Sequence, residues 1–154
     1  MWSPDRRLKF DAHPFPIVVL TFYDGWGAGD LLWMFEQFEL LFQRPDRYAL
    51  IIDTTLATNP PSALDRKLIT DWDNANAANT ERHHVGSAII VRSSLIRNSL
   101  TALGWLVRRK NPVVYVSTMT LAATWCAERL REAQISLSIE ARGYLFTRVS
   151  DTVG

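Results

Sequence analysis

Tyr48-Ala-Leu-Ile-Ile-Asp53 is the stretch whose reading decides the fold: a short apolar run that ends abruptly in a carboxylate and the hydroxyls Thr54 and Thr55. A run this short, with no polar alternation, reads as a strand buried on both faces. That is the pattern of a mostly parallel sheet covered by helices. Two further runs, Ser87 to Val91 and Val113 to Val116, share its character. Each leads into hydroxyls, Ser93 and Ser94 in one case, Ser117 and Thr118 in the other.

Upstream, Leu8 to Tyr23 contains Pro14 and Pro16, and Ile17 to Phe22 is strongly β-prone, which predicts a hairpin-like pair whose first strand lies at an edge. Asp24-Gly-Trp-Gly-Ala-Gly29 reads as a loop, since its glycine spacing fits neither the dinucleotide fingerprint nor a P-loop. From Asp30, as cap, Leu31, Met34, Phe35, Phe38, Leu41 and Phe42 recur at helical spacing until Pro45. This aromatic stripe is expected to face the sheet.

Downstream of the central strand, Leu56 to Pro61 is a loop. Ser62-Ala-Leu-Asp65 has the form of a capping box for a helix marked by Leu64, Leu68, Trp72, Ala75 and Asn79, which frays into Thr80 to His84. A third helix is expected from about Ser94 to Arg108, with Leu95, Leu100, Leu103, Leu106 and Val107 facing inward and Gly104 permitting a close approach. Arg108, Arg109 and Lys110 suit its negative end, and Pro112 stops it. After Val113 to Val116, a cap at Ser117 or Thr118 opens a helix through Leu121, Trp125, Cys126 and Leu130 to about Ala133. Residues 134–154 alternate loosely and form a C-terminal extension, either an edge strand or a covering arm. The expectation is one α/β domain over residues 1–154, with its core at about 8–133: a mixed, mainly parallel sheet of about five strands covered by about four helices.

A chain of 154 residues, 47% apolar and 21% charged, is long enough for one ordinary core and is not a disordered tail. Seventeen basic against sixteen acidic residues leave a net charge of +1, so no global field points to nucleic acid or an anionic membrane. No stretch is long and apolar enough to span a bilayer. Met1 to Phe10 carries Asp5, Arg6, Arg7 and Lys9, unlike a signal peptide. With Cys126 as the one cysteine, a cytoplasmic protein is expected.

The order of elements resembles a SpoIIAA-like domain of the STAS/SEC14 superfamily. The resemblance rests on Tyr48-Ala-Leu-Ile-Ile-Asp53 before a loop and helix, on Ala88-Ile-Ile-Val-Arg-Ser-Ser-Leu95 before a helix with Trp105, and on Pro112-Val-Val-Tyr-Val-Ser117 before a helix with Ala123, Trp125 and Leu130. It covers roughly Ile17 to Arg131. It implies a non-enzymatic regulatory or scaffold module, bacterial and cytoplasmic, that docks to a partner protein or to a second copy of itself. The alternative it implies is a Sec14-like carrier of a small ligand or lipid, without a cofactor. In the anti-sigma antagonist branch a serine in an Asp-Ser-Ser-Gly-like motif is phosphorylated. Here the corresponding stretch is Asp53-Thr-Thr-Leu-Ala-Thr-Asn-Pro-Pro-Ser62, so Thr58 and Ser62 are the nearest phosphorylation candidates by position.

In an open α/β sheet, ligands bind beyond the carboxyl ends of the strands. The candidate rim is Asp53, Thr54, Thr55, Thr58 and Ser62, then Arg92, Ser93, Ser94 and Arg97, then Ser117, with the adjoining helix to Asn79. Helix N-termini there suit an anion, although capping alone accounts for each hydroxyl. His83 and His84 read as a solvated loop pair, and no ligand cluster at metal spacing accompanies them. An unrecognised hydrolase would need one of them beside a rim hydroxyl. His13 has no identifiable partner. Trp2, Trp26 and Trp33 fall at or near loops, where exposed rings would favour a protein interface. Cys126 reads as a small buried hydrophobe.

Overall fold

The computed structural model describes residues 5–98 and 111–145. Its strands are β1 (Leu8–Asp11), β2 (Ile17–Tyr23), β3 (Tyr48–Leu56), β4 (His84–Ile90) and β5 (Val113–Val116). Its helices are α1 (Ala28–Phe42), α2 (Ala63–Ala75), α3 (Ala77–His83) and α4 (Met119–Glu132). Residues 94–98 and 139–145 are also helical. The strands form one mixed sheet in the order β1-β2-β3-β4-β5; β1 is antiparallel to β2 and the other pairings are parallel.

Because the parallel strands are laid down in sequence, successive crossovers of one hand carry the connecting helices to one face. Register fixes which side chains meet them. Val18 opposes Leu50, and Leu20 opposes Ile52, on the face that packs against α1 and α2 through Phe35, Phe38 and Trp72. The alternate residues, Val19, Ile51 and Ala88, face α4. There Ala122, Ala123 and Cys126 lie against the sheet, with Ile135, Leu137, Ala141 and Tyr144 closing the layer. The described part of the extension is therefore a covering arm rather than an edge strand. Gly86 lets α4 approach closely, since a Cβ there would sit 2.7 Å from the Trp125 ring.

Several boundaries differ from expectation. The N-cap of α1 is Gly27, and Asp30 is the third helical residue, whose carboxylate accepts from the Gly27 N–H at 3.0 Å. The segment after α2 does not fray. It breaks at Asn76 and resumes as α3, which ends in His83. That histidine and His84 are buried, not solvated, because they close the sheet's amino end against α1. Trp26 is buried against Phe22, with ring centroids 5.1 Å apart, and Trp33 is half-buried under Arg6. Trp2, the inward residues Leu100, Leu103, Leu106 and Val107, Gly104, Trp105 and the basic run Arg108 to Lys110 lie outside the described residues, as does the end of the extension.

Candidate functional site at the carboxyl end of the sheet

The loops after β2, β3, β4 and β5 all leave the same end of the sheet, and the first two are tied together. Gly25, at φ +82°, turns the chain after Asp24 in a region that side chains other than glycine rarely adopt. Asp24 Oδ1 then accepts from the Thr58 N–H at 2.9 Å and from the Thr58 hydroxyl. The Asn59 side chain adds two bonds, accepting from the Gly25 N–H at 3.2 Å and donating to the Trp26 carbonyl at 3.3 Å. The Thr58 bonds, aided by the positive charge of Arg7, hold the exposed Asp24 carboxyl below its ordinary range.

The rim residues expected from sequence occupy this end, but they do not converge. Asp53 Oδ1 accepts from the Thr55 N–H at 2.9 Å and from its hydroxyl at 2.7 Å. Thr54 turns inward and donates to the Ile90 carbonyl at 2.7 Å. Ser62 caps α2, accepting from the Asp65 N–H at 3.1 Å while Asp65 accepts from the Ser62 N–H at 2.8 Å. The Ser93 hydroxyl accepts weakly from the Ile96 N–H at 3.4 Å. Thr118, not Ser117, caps α4. Arg92, Ser94, Arg97 and Ser117 are exposed. Most of these hydroxyls bond to nearby backbone or to their own loop, which is capping and turn chemistry rather than a preformed anion site.

What the same end does present is apolar. Leu56 ends β3, Leu64 lies in the first turn of α2, Leu95 opens the helix after β4, and Leu121 lies in the first turn of α4. They are 55%, 59%, 60% and 51% exposed. Leu95 was expected to face inward, and Leu64 and Leu121 were markers of apolar stripes. Each of the three helix leucines lies on the outer side of its first turn, whose inward residues Asp65, Ile96 and Ala122 are buried.

Neither His83 nor His84 reaches a rim hydroxyl, because both sit at the opposite end. His83 bridges two carbonyl oxygens, Asn79 O through Nδ1 and Arg44 O through Nε2, each at 2.8 Å. A neutral imidazole carries one N–H, so the tautomer decides which of the two carbonyls it donates to. His84 Nε2 lies 2.8 Å from the hydroxyl of Tyr48, whose phenol burial pushes well above its usual range. Among the described residues no group of three metal-ligating side chains comes together.

A cavity of about 120 Å³ lies between the sheet and α1 and α2. Leu50, Ile52 and Ile89 form its floor and Phe35, Phe38 and Trp72 its opposite wall. Thr80, Asp73 and His84 lie at one end and Ala57 and Asn59 at the other. Sequence reasoning placed the wall residues in the core but had no signal for unfilled space, which depends on how rings settle against strands. Asp24 and Asn59 were also missed; the Asp24-Gly25 turn dipeptide is the signal that marks the first. No family model, curated protein or solved structure matches the chain.

Proposed function

We propose that the chain is a non-enzymatic, partner-docking module like the SpoIIAA-like, STAS-type domains it resembles, and that its docking surface is the carboxyl end of its sheet. The observation that carries this reading is the set of four leucines exposed at that one end, Leu56, Leu64, Leu95 and Leu121. Exposed apolar side chains gain free energy only when another surface covers them. The tied loops beneath them reduce the ordering cost of docking. The resemblance further supports a regulatory or scaffold role in a bacterial cytoplasm, and a second copy of the chain is one candidate partner. Of the two phosphorylation candidates, Thr58 is the better placed. It is exposed and its hydroxyl touches Asp24, so a phosphate would meet a carboxylate and loosen the loop.

The alternative, a Sec14-like carrier of a small ligand or lipid, draws its support from the cavity. At about 120 Å³ the space is well short of the roughly 300–1,000 Å³ of drug-sized sites, which favours docking over lipid carriage. The test is affinity capture from the native cell together with sedimentation of the purified chain. Leu56→Glu, Leu64→Glu and Leu95→Glu should each abolish a specific partner, or a dimer, while leaving circular dichroism unchanged. Leu40→Glu and Ile139→Glu, exposed on other surfaces, should not. Equal behaviour of the two groups of variants overturns the docking surface. Thr58→Asp weakening capture, with Thr58→Ala and Ser62→Asp neutral, supports the switch; equal capture by all three removes it.

A further inference from the structure

The cavity between the sheet and α1 and α2 carries an inference independent of docking. Its size, about 120 Å³, approaches the roughly 150 Å³ of an engineered apolar cavity that stays dry and takes up benzene. A single six-membered ring is therefore the natural scale of an occupant. Its lining is aromatic as well as apolar: Phe35 and Trp72, stacked on each other at 4.8 Å, both border it with Phe38 and Phe22. Aromatic neighbours favour an aromatic guest.

Two polar features set the guest's chemistry. The Thr80 side chain lines the cavity, and its Oγ1 is shielded from solvent with no hydrogen-bond partner among the described residues. Buried hydroxyls are nearly always paired, so this one is an unmet donor and acceptor at the cavity's edge. Asp73 also lines the space, and the described lining contains no lysine or arginine, which disfavours a carboxylate guest such as a fatty acid. We propose that the cavity binds a neutral, single-ring aromatic alcohol of phenol type, with the ring between Trp72 and Ile89 and the hydroxyl on Thr80 Oγ1.

The test titrates the full chain with phenol, benzene and hexanoate by calorimetry and by amide chemical-shift mapping. Phenol should bind saturably, shift the amides of Trp72, Thr80 and Ile89, and compete with benzene, while hexanoate should bind at least tenfold more weakly. Thr80→Val should weaken phenol about tenfold, the weight of one hydrogen bond, and leave benzene unchanged or improved. Ile52→Phe, which fills the floor, should abolish both, and Leu56→Glu should affect neither. The proposal is overturned if the wild-type chain shows no saturable phenol binding, if hexanoate binds as tightly as phenol, or if Thr80→Val leaves phenol affinity intact. The wild-type comparison needs no variant and decides the matter even if the filled protein fails to fold.

Discussion

Asp24 accepts two hydrogen bonds from Thr58, one from the backbone N–H and one from the hydroxyl, and so joins loops that lie 34 residues apart. The bond pair is exposed, yet it decides where Leu56 and Leu64 stand, because they flank the β3 to α2 loop that Thr58 anchors. A carboxylate with two donors in place fixes a loop more firmly than a side chain free to rotate.

That tie has a pH window. The folded state holds the Asp24 carboxyl below its ordinary value of 3.8, so the unfolded chain binds the proton more readily. The stabilisation is therefore present above about pH 3.8 and is lost as pH falls through the lower folded value. Protection of the Thr58 amide, its exchange relative to an unstructured amide at the same pH, should hold above pH 3.8 and be lost as pH falls below it, and Asp24→Asn should abolish the transition. A Thr58 amide indifferent to Asp24→Ala, which removes the acceptor, would refute the tie.

How much of this was legible in the sequence depends on what each feature rests on. The run Val113 to Val116 and the Ser62 cap are local patterns, and the structure places both as read. The central strand runs on from Asp53 to Leu56, since Thr54 and Thr55 are β-branched and Thr54 finds the Ile90 carbonyl. Leu95 misled because its neighbour Ile96 is the residue of that turn that packs inward, against Ile89 and Val91. His83 and His84 looked solvated because the Arg44 carbonyl and the Tyr48 phenol they meet come from elsewhere in the chain. Asp24 and Thr58 meet for the same non-local reason.

Close approach of α4 to the sheet makes Gly86 sensitive to substitution. In Gly86→Ala the added carbon would lie 2.7 Å from one Trp125 ring carbon, 3.0 Å from another and 3.3 Å from Arg129 Cγ. The indole must tilt and lose its packing under the Arg129 guanidinium, whose carbon lies 5.5 Å from the ring centre. Urea denaturation should register a loss of about 1–3 kcal/mol, the usual cost of overpacking. Adding Trp125→Leu should recover part of it, because the smaller side chain leaves room. A neutral Gly86→Ala would mean that α4 shifts freely.

Burial governs the chemistry of Cys126. Its thiol is inaccessible, points to the Leu50 carbonyl at 3.6 Å, and is pushed up to about 12 by burial, against a small opposing effect from the Ala88 backbone. Only the thiolate reacts readily, so the native chain should resist a disulfide reagent at pH 8 and react fully once denatured. Keeping the thiol neutral contributes stability that is complete below pH 9 and declines as pH rises from there toward about 12. Rapid labelling of the native protein at pH 8 would contradict this burial.

His83 makes the strongest mutational prediction at the amino end of the sheet. Arg44 lies just beyond the C-terminus of α1, where carbonyls have no partner within the helix, and Asn79 belongs to the short α3. One imidazole lies within hydrogen-bond distance of both acceptors and is 1% exposed, so water cannot replace it. His83→Phe keeps the ring contact with Phe42, whose centroid lies 5.2 Å away, but removes the ring N–H that can reach the Arg44 carbonyl. The expected loss is about 1–3 kcal/mol in urea denaturation, the cost of leaving buried acceptors unpaired. His83→Gln, whose amide can still donate to one carbonyl, should lose less. The distinction matters because shape alone predicts the reverse: if Phe proves milder than Gln, ring packing rather than hydrogen bonding holds α1 to α3.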